Sequence, residues 1–406
     1  MAAAIGRAGN YLALSGGVRA FVPKALPPDP PIRYSDEYVA ALNEAERNLG
    51  RLDAIAATLP GAEQFVRMYV RKEAVLSSQI EGTQSTLVDL LQFEAGAPPG
   101  TTEEDVGEVA NYVSALNLGL DRLEHGSQLD LDLILDVHRE LLAGVRGGGR
   151  RPGSFRNEQV WIGFNRCRIE EAEFVPPPPG EVARLMGDLE TFANAESKLP
   201  LLTRAGILHF QFETIHPFFD GNGRVGRMLI TLYLTRQGAL QRPLLYLSHY
   251  FRQRREEYCA RLQEVRDDGD WESWLTFFLD GVGEVSKQAA ATAYKIAALR
   301  ESNRKEILDL MGGRAGRGLS LLESLYGHPI VSVDDVRRLT HVSFPTANSL
   351  VSALESLGIL REETGQKHYR RYSYRPYIEI LNERESTTEQ MPPPTSASSG
   401  TARSQE

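Results

Sequence analysis

The chain has 406 residues, of which 42% are hydrophobic and 24% charged, so it can bury a large core as globular proteins do. Its formal net charge of −9 argues against coating nucleic acid or a membrane by bulk charge, and no stretch approaches the length of a membrane span. Two cysteines, Cys167 and Cys259, exclude a disulfide framework and a cysteine-based zinc site, and favour a reduced cytoplasm.

The N-terminal part predicts an arm followed by two helices. Residues 1–33 contain the run Pro27-Pro28-Asp29-Pro30-Pro31, which is typical of an extended arm laid over the surface. The first helix is predicted to begin after Ser35, its N-cap, and to stop at Pro60-Gly61. The second helix is predicted from about Ala62 to Glu81.

The end of the second helix carries a charge in an unfavourable place. Ser77 and Glu81 are one turn apart on the same face, and Gly82 is a suitable C-cap. A carboxylate in the last turn of a helix opposes the helix dipole. Glu81 therefore needs a cationic partner, unless it is a solvated surface residue.

Two further helices and a strand-rich stretch follow. Helices are predicted over Glu103–Leu123 and Leu131–Leu142, and His138 in the second is expected to be a satisfied packing histidine. The stretch Gly153–Gly163 is rich in strand formers and predicts a short hairpin, whose final residues are Val160, Trp161, Ile162 and Gly163.

The rest of the chain is organised around the stretch His216–Arg227, which reads His-Pro-Phe-Phe-Asp-Gly-Asn-Gly-Arg-Val-Gly-Arg. Apolar-periodic segments lead into it and out of it, so it is predicted to be a loop between two buried helices. Because the first amides of the second helix lack internal partners, and because Gly221 and Gly223 let the backbone curl, the loop can form a nest for a phosphate.

The side chains of this loop suit phosphoryl or nucleotidyl transfer. Arg224 and Arg227 share a helix face and can clamp a polyphosphate, and Asn222 adds an amide donor. Asp220 is a carboxylate of the kind that holds Mg²⁺ on nucleotides, and His216 can take a proton near neutral pH. The nucleotide-binding set predicted here comprises Gly221, Asn222, Gly223, Arg224, Val225, Gly226 and Arg227.

Other readings of the loop are weaker. A purely structural loop would not need six functional residue types within twelve positions. The spacing does not match a Walker A loop, and no strand precedes it as a Rossmann fingerprint requires.

At this loop the sequence resembles the Fic family, whose motif His-Pro-Phe-x-Asp/Glu-Gly-Asn-Gly-Arg-x-x-Arg is matched at every fixed position. The resemblance extends from about Glu63 to Asp280. It implies a mainly α fold, with a Fic-type helical bundle and a small β-hairpin flap. It also implies transfer of AMP from ATP to a hydroxyl of a target protein, with Mg²⁺ as cofactor and pyrophosphate released.

The resemblance also implies roles for individual residues. His216 would deprotonate the target hydroxyl, Asp220 would hold the metal, and Asn222 with the neighbouring amides would bind the α-phosphate. Arg224 and Arg227 would hold the β- and γ-phosphates. Phe218 would anchor the loop in the core.

Family members that inhibit themselves carry the pattern Ser/Thr-x-x-x-Glu-Gly/Asn, which Ser77–Gly82 fits. Glu81 would then pair with Arg227 and force ATP into a non-productive pose. Some members use the same glutamate to remove AMP from a modified target, and the sequence leaves that activity open. The stretch 153–163 resembles the Fic flap, where an extended target segment could add as a strand and present its hydroxyl to His216.

After the loop, Tyr258 is selected among several helically spaced aromatics as the residue to stack on adenine, although core packing accounts for most of them.

From about Ser320 the order helix, turn, helix and hairpin resembles a winged helix. Its second helix lacks Lys and Arg, so a protein-contact or regulatory role is favoured over DNA binding. The tail from Glu385 is rich in Ser, Thr, Pro and Gln and predicts disorder.

These patterns favour a self-inhibited, cytoplasmic protein adenylyltransferase whose partners are ATP and an unidentified protein target. A nucleotide-responsive transcriptional regulator and an enzyme that uses another pyrophosphate-containing donor are the alternatives. Self-modification and a homodimer stay open. The predicted units are 1–110 with the inhibitory motif 77–82, the catalytic core 111–285 with flap 153–163 and motif 216–227, the helical linker 286–319, the winged-helix-like unit 320–380 and the tail 381–406.

Overall fold

The computed structural model describes residues 6–58, 62–145, 148–149, 151–164, 167–383 and 400–401, and most of them are helical. The prediction of a mainly α fold is confirmed. None of the helices in these residues combines the length and the apolar character that crossing a membrane requires. The predicted helix stop at Pro60-Gly61 and almost all of the tail lie outside the described residues.

The described helices run in chain order from α1 to α15. Their bounds are α1 Asp36–Thr58, α2 Ala62–Ile80, α3 Leu87–Glu94, α4 Glu103–Glu124, α5 Leu131–Leu141, α6 Pro179–Asn194, α7 Leu201–Ile215, α8 Asn222–Arg236, α9 Ser248–Gln253, α10 Arg255–Asp268, α11 Trp271–Leu310, α12 Ala315–Leu325, α13 Val333–Thr340, α14 Phe344–Ser356 and α15 Arg375–Asn382. The strands are short: β1 Gly9–Ala13, β2 Arg19–Pro23, β3 Val160–Trp161, β4 Ile330–Val331, β5 Arg361–Glu362, β6 Tyr372–Ser373 and β7 Gly400–Thr401.

The N-terminal region differs from the predicted arm. Strands β1 and β2 form an antiparallel hairpin in which Tyr11 lies opposite Phe21. The Phe21 side chain is fully buried, and its N–H donates to the carbonyl of Val175. Arg7 ties the start of the hairpin to α11 through an ion pair with Glu272 at 2.7 Å. The hairpin is therefore a packed element, held by partners that are distant in the sequence.

Helices α7 and α8 form the centre of the molecule. Every side chain of α7 from Leu202 to Ile215 is buried, and so is almost all of α8. A helix that is buried on every face must be covered by other elements all round, and here α2, α4, α6 and α11 contact the pair. The loop 216–221 between them is thus fixed at both ends by the core.

The longest helix, α11, contains 40 residues and packs along α1. The sequence predicted a catalytic core ending at residue 285 and a helical linker over 286–319. The structure instead continues one helix to Leu310, with buried residues such as Ala289, Ala293 and Ile296 on its inner face. The predicted linker is thus mostly a continuation of this core helix.

The predicted hairpin within 153–163 has a different second strand. Strand β3 lies near the end of the stretch, and its neighbour Ile162 pairs with Phe174 in an antiparallel bridge. The opposite edge of β3 is paired with β7, with Val160 opposite Thr401. Segment 151–175, with gaps at 165 and 166, is called the flap below.

Residues 312–383 form a C-terminal unit. Helices α13 and α14 are joined through His341 in the left-handed conformation, and the strands pair in the order β4-β6-β5. Ser332 and Ser343 cap the two helices through their hydroxyls. The buried residues of this unit belong to the same continuous cluster as those of α2, α7 and α8.

Candidate active site

The loop between α7 and α8 makes two left-handed turns. His216 caps α7 with φ 49° and ψ 61°, a conformation that is uncommon for a residue with a side chain. Gly221 precedes α8 with φ 79°, where glycine carries no steric cost. These turns reverse the chain within six residues and leave the first amides of α8 facing a cavity.

Side chains from inside and outside the loop fix its shape. The Asn222 side chain accepts from the N–H of Phe218 at 2.8 Å and donates to its carbonyl at 2.9 Å. The Phe218 ring is buried and stacks on His138 with centroids 3.6 Å apart. His138 accepts from Gly153 N–H through Nδ1 at 2.9 Å, so its Nε2 donates to the carbonyl of Asp220 at 3.1 Å. His138 is thus the satisfied packing histidine that was expected, and it also supports the loop.

Arg156 in the flap holds the corner at His216, a role that its sequence context, a charge among strand formers, does not reveal. Its Nε donates to the His216 carbonyl at 2.8 Å, and its Nη2 donates to Pro177 at 2.6 Å. Its own N–H donates to the Pro217 carbonyl at 2.9 Å. The side chain is buried, so these carbonyls are its main partners and the left-handed corner is held rigidly.

The His216 imidazole lines the cavity in its neutral form. Burial, followed by the charge of Arg156, lowers the pKa of His216 to about 3. Within the described residues its Nδ1 is buried without a hydrogen-bond partner. A neutral imidazole can accept a proton from a hydroxyl, so His216 is in the state that a general base needs.

The cavity has a volume of about 400 Å³ and lies between the loop, α10, the flap and the end of α2. It contains most of the predicted site residues. Those that line it are Glu81, Trp161, Ile162, His216, Asp220, Gly221, Asn222, Gly223, Arg227 and Tyr258. Those outside its lining are Ser77, Val160, Gly163, Arg224, Val225 and Gly226.

Glu81 and Ser77, the residues of the predicted inhibitory motif, both bind Arg227. Glu81 Oε1 accepts from Arg227 Nη2 at 2.6 Å, and Ser77 accepts through its hydroxyl at 2.8 Å and its carbonyl at 3.0 Å. Burial alone would raise the pKa of Glu81, but the Arg227 charge overrides it, so the pKa is lowered. The Glu81 side chain is 40% exposed, whereas that of Arg227 is 2% exposed, so the carboxylate can leave more easily than the guanidinium.

Glu81 also covers the first turn of α8. A Cβ atom placed on Gly223 would lie 2.2 Å from Glu81 Oε1, so the carboxylate rests directly against the backbone there. The N-terminus of a helix attracts anions. The carboxylate therefore occupies a position that suits an oxygen of a phosphate.

Arg224 lies behind the cavity wall. Its Nη1 binds Glu108 of α4 at 3.1 Å, and its Nη2 approaches Asp220 Oδ1 at 3.4 Å. Arg224 and Glu108 are both about 4% exposed, so this is a buried ion pair. Glu108 was not selected from the sequence, because only the packing of α4 on α8 brings it to the loop.

Asp220 is the one predicted metal ligand, and its surroundings suit Mg²⁺ bound to a nucleotide. Its Oδ1 accepts from Gly221 N–H at 2.6 Å, and 36% of the side chain is exposed at the cavity. Within the described residues no group of three or more His, Cys, Asp or Glu side chains could hold a metal ion. Mg²⁺ that is held mainly by phosphates and water needs only one or two carboxylates, so a single aspartate fits this mode.

Tyr258 lines the cavity from α10, and its hydroxyl has a partner. His209 Nδ1 donates to the Gly226 carbonyl at 3.0 Å, so its Nε2 accepts from the Tyr258 hydroxyl at 2.9 Å. The Tyr258 ring stacks on Phe251 with centroids 4.5 Å apart. The phenol is thus fixed in the core, and only part of its ring can contact a ligand.

A second carboxyl group lines the cavity near Arg227, and the sequence did not single it out. Glu213 of α7 is buried, with its Oε1 unpartnered among the described residues. Burial raises the pKa of Glu213 to about 7, although Arg227 lowers it. Glu213 lies three positions before His216 in α7, and nothing in the local sequence distinguishes a buried glutamate there from an exposed one.

Two segments of the chain match known families. Residues 39–121 match the family described as Fic/DOC family N-terminal. Residues 128–234, which include all of the loop, match the family described as Fic/DOC family.

Two curated relatives are named protein adenylyltransferase Fic. The one from Drosophila willistoni is 30% identical over 248 residues, covering 58% of this chain and 46% of the relative. The one from Drosophila persimilis is 34% identical over 249 residues, covering 58% of this chain and 45% of the relative. The chain thus spans less than half the length of these curated relatives.

Two solved structures resemble the fold. A Fic family protein from Desulfovibrio desulfuricans G20 superposes with a TM-score of 0.55 at 21% identity, over 84% of this chain and 97% of that one. Fic-1 from C. elegans superposes with a TM-score of 0.51 at 25% identity, over 65% of this chain and 74% of that one.

Proposed function

We propose that the chain, whose residues 39–121 and 128–234 match Fic/DOC family models, is a protein adenylyltransferase that transfers AMP from ATP to a hydroxyl of a target protein and is inhibited by its own Glu81. One observation carries the proposal. A neutral histidine, a carboxylate, a helix N-terminus and a buried arginine surround a single cavity of about 400 Å³. These groups can bind a nucleoside triphosphate and activate a hydroxyl beside it.

In the proposed reaction, His216 accepts the proton of the target hydroxyl as its oxygen attacks the α-phosphorus of ATP. A new oxygen–phosphorus bond forms, the bond to the β-phosphate oxygen breaks, and pyrophosphate leaves. The free amides of Asn222 and Gly223 at the start of α8 stabilise the negative charge that develops on the α-phosphate. Asp220 would hold Mg²⁺, which neutralises phosphate charge when it is bound.

Inhibition follows from the position of Glu81. Its carboxylate pairs with Arg227 and rests on the first turn of α8, so it competes with phosphate oxygens for both. An ATP molecule that enters the cavity meets a negative charge where its γ-phosphate would bind. Productive binding therefore requires that Glu81 move away, which its 40% exposed side chain permits.

The flap supplies a docking edge for the target. Strand β3 ends at the cavity wall with Trp161, and one edge of β3 is paired with the two-residue strand β7 of the same chain. An extended target segment that replaced β7 would use main-chain hydrogen bonds, which do not depend on the target sequence.

The test incubates the purified protein with Mg²⁺ and ATP labelled at the α-phosphate, alone and with cell lysate. Glu81→Gly is expected to label protein at least tenfold more strongly than the wild type, and Glu81→Gly combined with His216→Ala is expected to label nothing. Glu124→Gly is the control, because Glu124 is an exposed residue at the end of α4, away from the cavity. Equal labelling by the Glu81→Gly protein with and without His216 would refute the proposal.

A further inference from the structure

The inhibitory helix α2 is held by buried polar contacts along its length. Near its end, Ser77 binds Arg227 of α8. One turn earlier, Glu73 accepts from the hydroxyl of Tyr112 in α4 at 3.3 Å and from the N–H of Ser248 in α9 at 3.3 Å. A helix held at several points moves as one body when it moves.

A further contact on α2 comes from the C-terminal unit. Lys72 is only 7% exposed, and its Nζ donates to the carbonyl of Leu381 at 2.5 Å. Leu381 lies in the last turn of α15, where helix carbonyls lack partners within the helix and carry the negative end of the dipole. A buried ammonium and a helix C-terminus are therefore complementary in charge. The same Nζ lies 5.1 Å from the centroid of the Tyr246 ring.

Other contacts join the C-terminal unit to the same region. Arg371 Nη2 donates to the Gly96 carbonyl, just after α3, at 3.4 Å. Gly327 packs so closely on α2 that a Cβ atom on it would lie 2.7 Å from Gln64 Oε1. The C-terminal unit therefore touches the inhibitory helix at its start and at its middle.

We propose that the C-terminal unit is part of the inhibitory apparatus, and that Lys72 is the positioning residue through which α15 keeps Glu81 on Arg227. This inference rests on the proposed function, because it concerns the same inhibitory contact. Glu81 directly follows the last residue of α2 and is nine positions after Lys72, about 14 Å along the helix axis, so a shift of the helix at Lys72 reaches Glu81.

Because the Lys72 ammonium is buried, loss of its contact with α15 favours movement of α2 toward solvent. If α15 moves away, Lys72 loses its hydrogen bond to the Leu381 carbonyl while it is still inside the protein, and the loss of a hydrogen bond destabilises a buried charge. Moving α2 toward solvent relieves that cost and withdraws Ser77 and Glu81 from Arg227. Any partner that displaces α15 would thus release the inhibition, and the Arg227 side chain would become free for phosphate.

The experiment measures hydrogen–deuterium exchange of the full chain without nucleotide, over the amides of residues 76–86. In Lys72→Met we expect exchange there to be about tenfold faster than in the wild type, as the loss of a hydrogen bond to a charged group predicts. Lys295→Met is the matched control, since Lys295 also binds the C-terminal region, through Glu383, but does so from α11 and not from α2. Lys72→Gln, which removes the charge but keeps a polar end, is measured in parallel and gives the answer if Lys72→Met does not fold.

A second measurement separates this inference from the proposed function. In the labelling assay, Lys72→Met should increase labelling in the wild-type background. It should change labelling less than twofold in the Glu81→Gly background, because both substitutions act by weakening the contact between Glu81 and Arg227. The inference would be overturned if residues 76–86 exchanged no faster in Lys72→Met than in Lys295→Met. It would also be overturned if exchange in Lys72→Met rose as much in α7 as at residues 76–86. If exchange rises locally but Glu81→Gly labels nothing, the coupling stands and the proposed function fails.

Discussion

The corner at His216 depends on carbonyl groups that point inward and are bound by a residue of the flap. Arg156 donates to the carbonyls of His216 and Pro177, and both bonds are shorter than 2.9 Å. The left-handed conformation of His216 is one that its Cβ disfavours, so the surrounding structure must hold it. The direction of the imidazole is therefore set by Arg156 as much as by the motif that contains His216.

Replacing Arg156 by lysine tests this dependence. Lysine keeps the charge but cannot donate to several carbonyls in one plane, so we expect the free energy of unfolding to fall by about 1–3 kcal/mol. In a Glu81→Gly background, kcat for the proposed AMP transfer should fall at least tenfold while KM for ATP stays within threefold, because Arg156 does not line the cavity. Initial rates with labelled ATP measure both constants.

The control for this prediction is Arg168→Lys, since Arg168 is an exposed flap residue paired with Glu171. It should leave both constants unchanged. A similar loss of kcat in the two variants would mean that the flap as a whole, and not the corner at His216, determines the rate.

The site shows what a sequence can reveal about single residues. His216, Asp220 and Arg227 lie in one short motif whose residue types indicate nucleotide chemistry, and all three line the cavity. Arg156 and Glu108 support that motif from positions 60 and 116 residues away from their partners. Their side chains carry no local signal, because their roles arise only when distant segments pack together.

At the scale of elements, the contact between α4 and α8 connects the two matched family segments. Glu108 in α4 binds Arg224 in α8, and Arg224 in turn approaches Asp220. Both members of the ion pair are buried, so each depends on the other to offset the cost of leaving water. The position of the Asp220 carboxylate thus depends on a helix that precedes the loop by about a hundred residues.

Replacing Glu108 by glutamine should leave the buried Arg224 charge with the Asp220 carboxylate, 3.4 Å away, as its remaining counter-charge. We expect the free energy of unfolding, measured by urea denaturation, to fall by about 3 kcal/mol, at the lower end of the cost of breaking a buried pair because glutamine can still accept a hydrogen bond. Glu104→Gln, an exposed position in the first turn of α4, should cost less than about 1 kcal/mol. If the two variants cost the same, the buried pair adds nothing to the packing of α4 on α8.

Elements with local signals were predicted more closely than those with distant partners. Ser35 marks the start of α1, and its hydroxyl accepts from Tyr38 N–H at 3.2 Å. The strands β1 and β2 were missed, since a hairpin next to proline-rich sequence is stabilised here by Val175, far along the chain. The flap hairpin was predicted entirely within residues 153–163, but Ile162 pairs with Phe174 across a long connection. The local sequence does not indicate such a distant partner.

At the scale of the whole molecule, one continuous core joins the N-terminal helices, the loop helices and the C-terminal unit. Two buried carboxyl groups of this core, those of Glu73 and Glu213, lie close enough to Arg227 for its charge to lower their pKa values. The protonation of these groups therefore affects the stability of the fold. Burial raises the pKa of Glu73 to about 7, although hydrogen bonds from Ser248 and the charge of Arg227 lower it. The sequence places Glu73 on a helix, but only the packing shows that it is buried.

The raised pKa of Glu73 predicts how stability depends on pH. The folded protein holds this proton up to about pH 7, whereas an unfolded glutamate loses it near 4.5. Between these values the folded state binds more protons, so this group's contribution to the free energy of unfolding is present below pH 4.5 and is lost as the pH rises toward 7. Its size is about 1.4 kcal/mol per pH unit at most.

Glu73→Gln removes this titration and keeps an oxygen that can accept from Tyr112 and Ser248. The difference in free energy of unfolding between wild type and variant should therefore shift in favour of the variant by about 3 kcal/mol between pH 4.5 and pH 7.5. Urea denaturation across this range measures it, and the titration of Glu213 cancels because both proteins contain that residue. Parallel stability curves would mean that Glu73 stays ionised in the core, with Arg227 and the Ser248 hydroxyl compensating its burial.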